Sequence, residues 1–156
     1  MHLGEISLEC SRAGAAAAAL WFTLQCIPLE SDRGFGAILR RCRESALLFA
    51  KRLKESTTLR LLLDPALDIV AFFPHCSSHR ASDISAKSHD LFSKAMNHSH
   101  APIYLSKLKV DSVLLSAHYP EINIDEEQTT ILRSVMMKPE EYDHVERLVD
   151  ALEKLC

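Results

Sequence analysis

The sequence predicts an α+β domain, a small and mainly antiparallel sheet covered by helices and preceded by a long connecting helix. Three observations point there. From Gly34 onward, segments with helical apolar spacing alternate with short strand-like segments, in the order helix, strand, helix, one or two strands, strand, helix. The chain is 156 residues long and 47% apolar, enough for a real core. The first thirty residues depart from this pattern. They hold an almost wholly apolar segment that needs more partners than a small domain offers.

Ile6-Ser-Leu-Glu9 alternates apolar and polar residues and reads as a short strand. Ser11 is a suitable N-cap for the segment after it. Arg12 to Ile27 reads as a helix apolar on nearly every side, which requires burial on most faces. Pro28 ends it, and Glu30-Ser-Asp-Arg33 is a polar connector. The expected division is therefore residues 1–30, then residues 31–156.

A second helix is predicted over Phe35 to Glu55. Phe35, Ile38, Leu39, Cys42, Ala46, Phe49, Ala50 and Leu53 form its apolar face, and Arg40, Arg41, Arg43, Lys51 and Lys54 its wet one. Leu67 to Phe73 reads as a strand ended by Pro74, and His75 to Ser82 as a polar loop. Ser82 or Asp83 is expected to cap a helix with Ile84, Leu91, Phe92 and Ala95 inward. Asn97 to Pro102 turns the chain. Ile103 to Val110 and the apolar Val113 to Ala117 read as one or two strands, and Tyr119 to Glu127 as a polar excursion. Thr129 to Met137 reads as a strand. Pro139 then opens a last helix, with Glu140 and Glu141 in its first turn and Tyr142, Val145, Leu148, Val149, Leu152 and Leu155 as its stripe.

The net charge of -3 gives no electrostatic argument for nucleic acid or an anionic membrane as partner. The longest apolar run, Ala13 to Leu24, is too short to span a bilayer, which takes about 20 apolar residues. Glu5 and Glu9 before it argue against a secretory signal. Five scattered cysteines with no CxxC pair fit a reduced compartment, so a cytoplasmic location is expected. Cys26 and Cys42 read as packing residues, and Met96, Met136 and Met137 as core or interface filler. His75-Cys-Ser-Ser-His79, with His89, His98 and His100, is one irregular group and reads as a polar loop, not a metal site.

Three stretches together resemble the group II pyridoxal-phosphate-dependent amino-acid decarboxylases. Leu8-Glu-Cys-Ser-Arg-Ala-Gly-Ala15 is similar to the family's strand-to-helix turn downstream of the cofactor lysine. Gly34-Phe-Gly36 with the helix to Leu53 is similar to its Gly-Tyr segment and the helix entering the small domain. Leu132-Arg-Ser-Val-Met-Met137 with the Pro139 helix is similar to its late strand and closing helix. The resemblance implies the C-terminal part of an aspartate-aminotransferase-like fold. Residues 1–30 would be the end of the large cofactor domain with the connecting helix, and 31–156 the small domain.

It further implies pyridoxal 5'-phosphate as cofactor, an amino acid as substrate, a homodimer, and loss of carbon dioxide to give an amine, with the cofactor ring taking up the released electrons. Ser11 would lie near the cofactor phosphate, where a helix N-terminus favours an anion. Arg133 would face the substrate carboxylate, which its planar fork of donors matches. The family's Schiff-base lysine lies in a His-Lys context upstream of the Ser-Arg turn, and Met1 to Cys10 contains no Lys. No catalytic residue is therefore expected on this chain, which is expected to be inactive alone. The alternative is a non-catalytic α+β interaction module associating with a full-length paralogue. The ordinary roles remain a helix cap for Ser11, salt bridging for Arg12, and a solvent-facing or ion-paired strand residue for Arg133.

Overall fold

The structure, a computed structural model, describes residues 14–98 and 102–156. The expected strand Ile6–Glu9, Ser11, Arg12 and His100 lie outside them. The chain divides into two compact units, Met1–Leu39 and Arg40–Cys156.

In the first unit, helix α1 (Gly14–Cys26) follows from its run of alanines, the best helix formers. None of its residues is buried, and Trp21 and Phe22 are each 64% exposed. Among the described residues the expected burial on most faces is not met, and apolar side chains lie all round the axis. Cys26, read as a packing residue, is exposed. After Pro28 a two-residue strand, β1 (Leu29–Glu30), bridges back to Arg33 and Gly34. This turn explains two glycines. Gly34 has φ +61, where a side chain is strained, and a Cβ on Gly36 would lie 1.7 Å from the Glu30 carbonyl oxygen.

The long helix α2 (Gly34–Glu55) appears as the sequence predicts and buries Cys42, Ala46, Phe49, Ala50 and Leu53. The second unit then runs β2 (Leu59–Leu61), β3 (Ile69–Pro74), α3 (Ala81–Met96), β4 (Ser106–Asp111), α4 (Ser112–His118) and β5 (Gln128–Val135). A 3-10 turn (Pro139–His144) leads into α5 (Val145–Leu155). The four strands form one antiparallel sheet in the order β2-β3-β5-β4. The expected α+β class is confirmed.

The sheet separates two apolar clusters. On one face Leu59, Leu61, Val70, Phe72 and Leu132 pack with α2, α3 and α5 through Phe49, Leu91 and Val149. Phe49 and Phe72 meet ring to ring, tilted, with centroids 5.4 Å apart. On the other face Phe73, Val110 and Ile131 pack with Leu115 of α4 and with Ile122. Cys42 and Met136 are buried as expected, whereas Met137 is exposed.

Several expectations change. Strand β2 was not predicted. Val113 to Ala117 is helical, not a strand: the Asp111 carboxylate accepts a hydrogen bond from the Val113 amide at 2.8 Å and starts α4. The final helix begins as a 3-10 turn before Val145. Neither Ser82 nor Asp83 caps α3. The helix starts at Ala81 after Arg80, and its cap comes from the polar excursion. Asp125 accepts hydrogen bonds from the Ser82 amide (2.9 Å), the Ser82 hydroxyl and the Arg80 guanidinium (2.9 Å). The Asn123 and His79 backbones join the excursion to the same point.

The hydroxyl and then the amide of Ser82, aided by Arg80, hold the Asp125 carboxyl down to about 2, against an ordinary 3.8. A carboxyl depressed by folding contributes stability above its unfolded value and loses it as pH falls through the folded one. Asp125→Asn is therefore expected to lower the thermal midpoint at pH 7, with the gap to the unaltered chain closing between pH 4 and pH 2. A gap independent of pH across that window would contradict the clasp.

Candidate functional site

The site follows from the alternation of β5. Thr129, Thr130, Ile131 and Val135 are β-branched and favour a strand, and successive side chains take opposite faces. Leu132 stands opposite Phe72 and Lys107 on the helix-covered face. Ile131 stands opposite Leu108 in the second cluster. Arg133 therefore shares the face of Ile131, between Ala71 of β3 and Ser106 of β4. The pairing next to it sets Val135 against Ile69.

Among the described residues of the second unit, this face is covered at one end only. Around Phe73, Ile131 and Val110 it carries α4 and the residues after it. There the Tyr119 ring meets Phe73 edge-on at 5.2 Å, and its hydroxyl donates to the Leu61 carbonyl. Burial pushes the Tyr119 phenol up. At the other end Ala71, Arg133 and Val135 are half-buried, and Ile69 and Ser106 are exposed. The result is an open, largely apolar end of a sheet with one guanidinium in it.

That guanidinium has no described acid. Arg133 forms no ion pair among the described residues, and its Nε is buried without a hydrogen-bond partner. The reading of Arg133 as an ion-paired strand residue has no partner to support it. A buried donor without an acceptor costs stability, about 1–3 kcal/mol. A free planar fork on an apolar floor suits a carboxylate, which it grips through two parallel hydrogen bonds.

The other sequence candidates do not join it. Ser11 lies outside the described residues. His75 and His79 face each other edge to ring at 6.0 Å on the loop before α3, and burial pulls the His75 imidazole down, with Arg60 beside it. No group of three or more His, Cys, Asp or Glu side chains converges as for a metal ion among the described residues. The sequence analysis missed Ala71 and Ser106 as the neighbours of Arg133, since strand register leaves no local signal.

No family model matches the sequence, and no curated protein matches it. Solved structures do match. The glutamate decarboxylase domain of the diaminobutyrate-pyruvate transaminase and L-2,4-diaminobutyrate decarboxylase from Vibrio parahaemolyticus is similar over 88% of this chain, with a TM-score of 0.57 and 16% identity. Tryptophan decarboxylase from Catharanthus roseus, in complex with L-tryptophan, is similar over 86%, with a TM-score of 0.55 and 14% identity. The fold is that of the C-terminal domain of decarboxylase structures. This chain spans 26% and 25% of those two proteins. No described helix is long and apolar enough to cross a membrane.

The unpartnered Nε makes Arg133 a residue that the fold does not use. Arg133→Met keeps the stem and removes the orphaned donor. It is expected to leave the urea midpoint unchanged or to raise stability by up to about 1 kcal/mol. A loss of more than about 1 kcal/mol would instead give Arg133 a structural role.

Proposed function

We propose that this chain is the C-terminal portion of a group II pyridoxal-phosphate-dependent amino-acid decarboxylase, with Arg133 receiving the substrate carboxylate. Residues 1–30 belong to the end of the cofactor domain and its connecting helix, and 31–156 form the small domain. The observation that carries the reading is the unpaired guanidinium of Arg133 on the open end of a sheet whose fold is shared with two decarboxylases.

The described residues do not themselves fit the cofactor. Pyridoxal phosphate needs an amine for its aldehyde, an acid for its ring nitrogen and a set of donors for its phosphate. Across the strands from Arg133 stand Ala71 and Ser106, which supply one hydroxyl and neither charge. Lys107, its neighbour in β4, lies on the opposite face with its ammonium 4.9 Å from the centre of the Phe92 ring. On this reading the cofactor is held elsewhere in a longer polypeptide or a partner subunit, the working unit is a homodimer in the cytoplasm, and Ser11 lies toward the phosphate.

Arg133 then acts by position alone. Its two parallel donors fix the plane of the carboxylate, and the side chains of Ile69, Ala71 and Val135 beside it offer no acceptor that competes for the guanidinium. A non-catalytic module bound to a full-length paralogue is the second reading, favoured by the exposed Trp21 and Phe22 of α1.

The test is to express the reading frame extended upstream of Met1 and to measure amine formation from amino acids with pyridoxal phosphate present. Decarboxylation is expected. Arg133→Ala should lower kcat/KM by the equivalent of about 2–5 kcal/mol with cofactor binding retained. Arg133→Lys should recover part of it, having charge but no fork. An extended protein that decarboxylates no amino acid overturns the function, and an unchanged kcat/KM in Arg133→Ala overturns the residue's role.

A further inference from the structure

A second site lies on the far side of the sheet from Arg133. Val149 and Leu152 of α5 belong to the cluster of Leu132 and Phe72, which occupies the face that Arg133 does not. Along the outer side of α5, against the chain that follows α3, runs a cavity of about 770 Å³. That volume falls within the span of small-molecule sites, about 300–1,000 Å³. Its apolar wall is Ile103, Leu148 and Leu155, each packed on the core behind, together with Ala151. Its rim carries His98, His144, Arg147 and Lys154.

An ordinary amphipathic helix would spend such cations on acids three or four residues away. Here those acids are turned elsewhere. Asp143 binds Arg41 at 3.1 Å, while Glu146 and Asp150 both bind Arg52, at 3.0 and 3.1 Å. Glu153 accepts from the Ser56 hydroxyl. Asp150, which also reaches the cavity, is paired with Arg52, a guanidinium it shares with Glu146. The segment from Asp143 to Leu155 directs its acids to α2 and Ser56 and leaves its bases round the cavity. Arg147, Lys154 and His144 have no ion pair or side-chain hydrogen bond among the described residues. In a chain of net charge -3, this is a local surplus of cations against an apolar wall.

We propose that this cavity binds a small soluble organic carboxylate with an apolar body, its charged end held by Arg147 and Lys154 and its body against Ile103, Leu148 and Ala151. A bare inorganic anion would leave the apolar wall wet, and a neutral apolar molecule would leave the cations unanswered. The combination of both features selects an aryl- or alkyl-carboxylate. The site is separate from the Arg133 face and does not rest on the function proposed for it.

The experiment uses the full 156-residue chain and two matched probes, 4-phenylbutyrate and 4-phenylbutan-1-ol, followed by titration of amide NMR shifts. Saturable binding of 4-phenylbutyrate is expected, with the largest shifts at Ile103, Leu148 and Ala151. The alcohol should bind about tenfold more weakly or worse, because it forfeits the charge-assisted hydrogen bonds. Arg147→Gln with Lys154→Gln should reduce 4-phenylbutyrate binding to the level of the alcohol. These side chains are exposed, so an unchanged thermal midpoint is expected alongside. Arg133→Met should leave the binding intact. Equal affinity for acid and alcohol, undiminished binding in the double variant, shifts centred on β5 instead of α5, or no saturable binding of the acid would each overturn the proposal.

Discussion

The second unit depends on β5 being held along both of its edges. All six residues of β4 pair with it on one side, and Ile69 to Phe72 of β3 pair on the other. Because a strand alternates, one segment serves two cores and one site. Leu132 closes the cluster beneath the helices, Ile131 closes the cluster beneath α4, and Arg133 is left where the second face is uncovered. A slip of one residue would send Arg133 into the Phe49–Phe72 core and Leu132 to the open face. The antiparallel register therefore fixes the candidate site as well as the fold.

The charges follow the same division. On the helix-covered side, α2 offers Arg41 and Arg52, and the chain from Asp143 to Asp150 answers with three carboxylates. Arg41 also sits over the Tyr142 ring, its Cζ 3.6 Å from the ring centre. These contacts are partly exposed and individually weak, but they fix which side of α5 carries acids. At the open end of the other face, Arg133 has no such pairing among the described residues. The orphaned Nε of Arg133 is the kind of unsatisfied group that a fold retains when something outside it supplies the acceptor.

Much of this was legible in the sequence because it rests on periodicity. The spacing of Cys42, Ala46, Phe49 and Leu53 marks α2, the β-branched run at Thr129 to Ile131 marks β5, and the stripe through Val149 and Leu152 marks α5. What failed lacked a periodic signal. Leu59-Arg-Leu61 is too short to stand out within a run of leucines, yet both leucines reach the core. Val113 to Ala117 is an apolar run that fits a strand or a helix, and the Asp111 cap decides it. The cap of α3 comes from Asp125, more than forty residues away, where no local motif can announce it. Arg133 was singled out by its resemblance. Its neighbours Ala71 and Ser106 were not, because cross-strand register is a property of the assembled sheet. For α1 the composition showed an apolar helix but not what covers it.

The central claim of the proposed function is that residues 31–156 are a decarboxylase-type small domain and that this chain supplies no lysine for the cofactor. The most direct measurement is to mix the purified chain with pyridoxal phosphate, reduce with borohydride and map the modified lysines by mass spectrometry. The account predicts only scattered, low-occupancy labelling of exposed lysines such as Lys51 and Lys138. A stable visible absorbance band that borohydride fixes stoichiometrically onto a single lysine of this chain would contradict it.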